Sequence, residues 1–106
     1  MKKFLPILLF FFIFNIYSQK EANFWYFGNK AALNFNSENP IPVSGSKLNT
    51  IEGCSSFSDG NGNLLFYVGA STPLANNLTI WDKNNNPMLN GVGLKGDTSS
   101  SQSALT

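Results

Sequence analysis

Apolar and polar positions alternate in short blocks along most of this chain, and one long apolar run comes before them. Phe24-Trp25-Tyr26-Phe27 is a dense aromatic block closed by Gly28-Asn29, and Ala32 to Phe35 follows as a second apolar segment. Aromatic side chains fit a pleated, half-buried surface and Gly-Asn tolerates positive φ, so the pair predicts a hairpin. Ser37 to Pro42 carries two prolines among polar residues and predicts a loop or edge connection, where lost ladder donors do little harm. Cys54 to Ser58, the turn Asp59-Gly60-Asn61-Gly62 and the run Asn63 to Val68 predict a second hairpin. The continuous apolar character of Leu64 to Val68 predicts burial on both faces of that strand. A further strand is expected over Leu78 to Trp81, ended by Asp82 to Pro87, and Asn90 to Ser103 is rich in Gly, Ser and Thr.

The opening run has a different character. Lys2 and Lys3 precede Phe4 to Ile16, and Ser18 stands as a small residue before Gln19. A cationic head, an apolar middle and a small-residue cut form the layout of a secretory signal peptide, so residues 1–18 are expected to direct export and be removed. The alternative is a membrane anchor. As a helix, Phe4 to Ile16 would reach about 20 Å, short of the roughly 30 Å hydrocarbon core, and Pro6 and Asn15 weaken its ends. Lipid attachment would need a cysteine just after the apolar run, and the only cysteine is Cys54.

Composition narrows the chemistry. Residues 19–106 hold five lysines and six acids, a net charge of −1 that gives no reason to bind nucleic acid or an anionic membrane. The chain has no histidine and no arginine. Triad hydrolases, imidazole metal sites and bidentate anion clamps are thereby excluded, leaving only carboxylates, lysine or hydroxyls for catalysis. One cysteine cannot form an internal disulfide, and Cys54 reads as a small strand hydrophobe more readily than as a reactive thiol.

Four weak patterns remain. Asp59-x-Asn61-x-Asn63 and Asp82-x-Asn84-x-Asn86 echo one another 23 residues apart. They begin like a calcium loop, but Leu64 and Ala70 stand where an EF-hand starting at Asp59 needs Gly and a carboxylate. Side chains closing turns account for the spacing, with a looser calcium site on Asp59 or Asp82 as the rival. Glu52 and Asp59 form the only close acidic pair, which a glycosidase would need face to face, and Asn77-Leu78-Thr79 matches a glycosylation acceptor. Phe24, Trp25, Tyr26 and Trp81 invite stacking on sugars, but core packing accounts for such rings more readily. None of these patterns designates a catalytic, cofactor-binding or metal-ligating residue.

Taken in order, Trp25 to Phe35, Glu52-Gly53-Cys54, Ser58 to Tyr67, Ile80-Trp81-Asp82, Met88, Asn90-Gly91-x-Gly93-Leu94 and Ser100 to Ser103 form a recognisable set. It resembles the N-terminal region of large secreted Bacteroidota proteins that join a β-propeller-like region to a C-terminal gliding-motility-associated or type IX secretion sorting domain. The link from Val68 to Leu78 is longer than that pattern uses, and residues 19–106 do not include a sorting domain. The resemblance implies an all-β fold of antiparallel hairpins: a signal peptide at 1–18 and, over 19–106, the first one or two blades of an incomplete propeller. A propeller needs at least four blades, so the chain reads as a fragment whose later blades are its missing partners.

The function expected is that of a non-catalytic structural or binding module, secreted or on the outer cell surface, with a protein or glycan ligand and no cofactor. A fragment of a propeller-type glycan-active enzyme and a self-contained small β-sandwich are the alternatives. An incomplete propeller would leave the apolar faces of Leu64 to Val68 and Leu78 to Trp81 uncovered, prone to bind hydrophobic dyes or aggregate.

Overall fold

The computed structural model describes residues 19–73 and 77–97; the signal-peptide reading of residues 1–18 lies outside them. The described chain is all-β, two antiparallel sheets with no helix. Among the described residues no helix is long and apolar enough to cross a membrane.

The first sheet is a meander of β1 (Phe24–Phe27), β2 (Ala31–Asn34) and β3 (Ile41–Pro42). The expected aromatic hairpin is present, with Phe24 opposite Asn34 and Phe27 opposite Ala31. Its turn takes positive φ at Gly28 and at Lys30, and the Lys30 amide is held by the Leu48 carbonyl at 2.8 Å. Strand alternation sends Tyr26 and Ala32 inward and leaves Trp25 and Phe27 outside. The proline-bearing segment contributes only the two-residue edge β3, where Pro42 interrupts no interior ladder.

The second sheet runs in sequence order through β4 (Cys54–Ser58), β5 (Leu64–Gly69), β6 (Asn77–Asp82) and β7 (Leu94–Lys95). The pairing of β4 with β5 contains a bulge: Phe57 faces Phe66, but the next residue, Ser58, faces Leu64. Leu65 is the extra residue, and it flips the phase of the strand so that Leu64 and Tyr67 share one face. Burial on both faces therefore holds for Tyr67 and Val68 but fails at Leu65, which is 44% exposed.

One face of this sheet meets the first sheet. Tyr67 lies between Tyr26, stacked at 4.1 Å, and Trp81, stacked at 5.4 Å, and Ala32, Leu48 and Leu64 complete the cluster. The small side chains of β4 let β1 come close: the Ser56 hydroxyl donates to the Phe24 carbonyl at 2.5 Å. Each large side chain buried here contributes about 1.5–3 kcal/mol. The opposite face gathers Val68, Ala70 and Leu78, with Phe66 and Ile80 packed against them. The expectation of uncovered apolar faces is corrected only in part: Leu64, Tyr67, Val68, Leu78 and Trp81 are all at most 7% exposed, whereas Leu65 is 44% exposed and Phe66 and Ile80 are half-buried. The first sheet and the Leu48 loop cover one side, while on the other Val68, Ala70 and Leu78 are buried beside the half-buried Phe57, Phe66 and Ile80.

Candidate functional site

The two echoing turns are alike in every backbone bond that closes them. Asp59 Oδ1 accepts from the amides of Asn61 and Asn63, both at 2.9 Å, and Asp82 Oδ1 accepts from Asn84 and Asn86 at 2.8 and 2.9 Å. The amides of Asp59 and Asp82 donate in return to the carbonyls of Asn63 and Asn86, each at 2.9 Å. The third residue after each aspartate, Gly62 and Asn85, takes positive φ. A bare carboxylate at this spacing organises its own loop. Asp59 Oδ2 also accepts from Asn63 Nδ2 at 3.0 Å, so both of its oxygens are engaged. Among the described residues no three His, Cys, Asp or Glu side chains gather around a common point.

These bonds have a pH signature. The Asn63 amide, then the Asn63 side chain, hold the Asp59 carboxyl below the ordinary carboxylate range. A depressed folded-state pKa means the carboxylate stabilises the turn above the unfolded value near 3.9 and loses that contribution as pH falls through the folded value. We expect the Asn61 and Asn63 amide signals in an NMR titration to move only below about pH 4, and to stay still in Asp59→Asn. A midpoint at or above the ordinary value would contradict the geometry.

Because both turns lie at one end of the second sheet, they frame an open cleft of about 840 Å³. Asp59, Asn63, Asp82, Lys83 and Asn84 line it on one side, and Asn34, Asn36 and the rings of Phe24 and Tyr26 on the other. Asn36 ties the sides together, its Nδ2 donating to the Gly62 carbonyl at 2.7 Å and to Asn34 Oδ1 at 2.8 Å. The cleft is thus rich in amides and carboxylates that are fixed in place. Glu52 takes no part, since all of β4, about 17 Å of strand, separates it from Asp59. That is too far for two carboxyl groups flanking one glycosidic bond.

The four aromatic candidates divide. Tyr26 and Trp81 belong to the buried core and Phe24 packs against it. Trp25 instead points outward, 55% exposed, on the rim of a hollow of about 390 Å³ shared with Tyr26, Phe27, Cys54, Ser55 and Ser56. Its Nε1 donates to the Ala22 carbonyl at 2.9 Å, and its ring leans on Phe35 at 5.0 Å. The Phe35 support was not anticipated. A signal existed, because Trp25 opposite Leu33 makes Phe35 a diagonal neighbour. The Cys54 thiol is half-buried and its pKa is pushed up by burial, the opposite of what a nucleophile needs. Asn77 of the acceptor pattern is exposed at the start of β6, whereas Thr79 is buried. No family model, no curated protein and no solved structure matches this chain.

Proposed function

We propose that the chain is a non-catalytic binding and structural module of an exported protein, built as the opening part of a β-propeller-like region. The observation that carries this reading is the second sheet: four antiparallel strands in sequence order, apolar on both faces, as a blade held between neighbours must be. One face already has its neighbour in the first sheet, while Phe57, Phe66 and Ile80 stay half-buried on the other. The non-catalytic part rests on Asp59, whose ionised carboxylate is committed to closing a turn and cannot give a proton to a leaving group. Export rests on the order of charge and apolarity in residues 1–18.

Expression of the full chain in a Gram-negative host tests the export reading. The secreted or envelope fraction is expected to contain a product beginning at Gln19 by N-terminal sequencing; an uncleaved chain in the cytoplasm overturns it. The propeller reading is tested by the structure of a longer polypeptide carrying this segment. A further meander should lie on Phe57, Phe66 and Ile80; solvent on those three residues there overturns the reading.

A further inference from the structure

We propose that Trp25 is the platform of a carbohydrate subsite that receives the apolar face of an uncharged sugar ring. The inference names a ligand class for the binding module described above and rests on that reading.

The indole is set in position before any ligand arrives. Its N–H is engaged by the Ala22 carbonyl at 2.9 Å, and Phe35 supports it at 5.0 Å with a 48° tilt. A ring fixed in advance loses little rotamer freedom on binding, and that loss is one of the larger costs of association. Its exposed side is electron-rich, which attracts the polarised C–H bonds on one face of a pyranose. Phe27, two residues along β1 on the same face and 40% exposed, extends the platform. At its border the Ser56 hydroxyl gives its proton to the Phe24 carbonyl, so its lone pairs suit a sugar hydroxyl.

Charge and size select this occupant over others. None of Trp25, Tyr26, Phe27, Cys54, Ser55 and Ser56, which line the hollow, carries a charge at neutral pH, which matches a neutral ligand. The exposed parts of two rings offer on the order of 200 Å². A stable protein partner needs about 800 Å² a side. One or two sugar units match the smaller figure. The stacking idea applies to Trp25 alone of the two tryptophans, because Trp81 is sealed in the core.

The experiment titrates the purified, leader-cleaved protein with neutral hexasaccharides of glucose, xylose and N-acetylglucosamine, reading tryptophan fluorescence and calorimetric heat. At least one is expected to bind saturably and to shift the Trp25 emission. Trp25→Ala should weaken that binding by roughly tenfold or more, and Trp25→Phe should restore part of it. Trp81→Phe, which removes the buried emitter, should keep the spectral response; if that variant unfolds, the comparison of Trp25→Ala with Trp25→Phe still decides. Equal affinity in Trp25→Ala overturns the subsite and leaves the binding-module reading standing. Failure of the unaltered protein to bind any of the three up to about 10 mM overturns the carbohydrate assignment, while the export and propeller readings are judged by their own experiments. A concentration-dependent dimer abolished by Trp25→Ala, without a sugar response, would assign the platform to a second copy and likewise overturn the proposal.

Discussion

Replacement of Tyr67 by alanine is expected to lower the stability of the fold by about 3–5 kcal/mol, the usual loss for a large aromatic removed from a core. Tyr67 is fully buried, and both faces of its ring are occupied, by Tyr26 on one side and Trp81 on the other. Its hydroxyl joins two loops as well, accepting from the Lys47 amide at 3.2 Å and donating to Asn85 Oδ1 at 2.7 Å. Alanine therefore opens a cavity between the sheets and strands both loop groups. Tyr67→Phe separates the two effects: the ring stays, and the loss should be about 1–3 kcal/mol for the polar groups left without a partner. Small domains have only about 5–15 kcal/mol to lose, so Tyr67→Ala should unfold at markedly lower urea than the parent when followed by circular dichroism. A loss below about 1 kcal/mol in Tyr67→Ala would mean that the two sheets do not share this core.

The second large effect concerns a pair. A methyl group at Gly69 would lie 2.5 Å from Leu48 Cδ2, and Leu48 is itself fully buried. Because Gly69 does not occupy the left-handed region, alanine suits its backbone and the conflict is steric alone. Gly69→Ala should cost about 1–3 kcal/mol by overpacking. Leu48→Ala should cost about 2–5 kcal/mol by leaving a cavity. In the double variant the new methyl occupies part of the space that Leu48 vacates. Its loss should then fall short of the sum by about 1 kcal/mol or more in a denaturant cycle. Strict additivity would place the two residues out of contact.

How much of this was legible beforehand follows from which forces act locally. The hairpins around Gly28 and Gly62 could be read because positive φ and Asx bonding are decided within a few residues. The likeness of the Asp59 and Asp82 turns was visible for the same reason. The Leu65 bulge was not, since its five-residue apolar neighbourhood reads the same with either phase, and only pairing with Ser58 reveals the slip. Leu48 carried no periodic signal. It sits in an irregular segment between Val43 and Gly53, and its burial comes from contacts with both sheets. The short strand β7 was likewise hidden in a stretch whose composition speaks only of turns. Among the aromatic candidates, the sequence offered four equivalent rings, and burial alone told Trp25 from Trp81.

The rims of the two sheets set how this architecture can grow. Beyond the seam where β1 and β4 adjoin, the outward borders are β3 and β7, each two residues long among the described residues, one bearing Pro42 and the other Lys95. Such borders offer few backbone groups to an incoming chain, and a proline and a lysine make them poorer templates still. Fibre-like polymerisation through added rungs is therefore obstructed at both of these flanks.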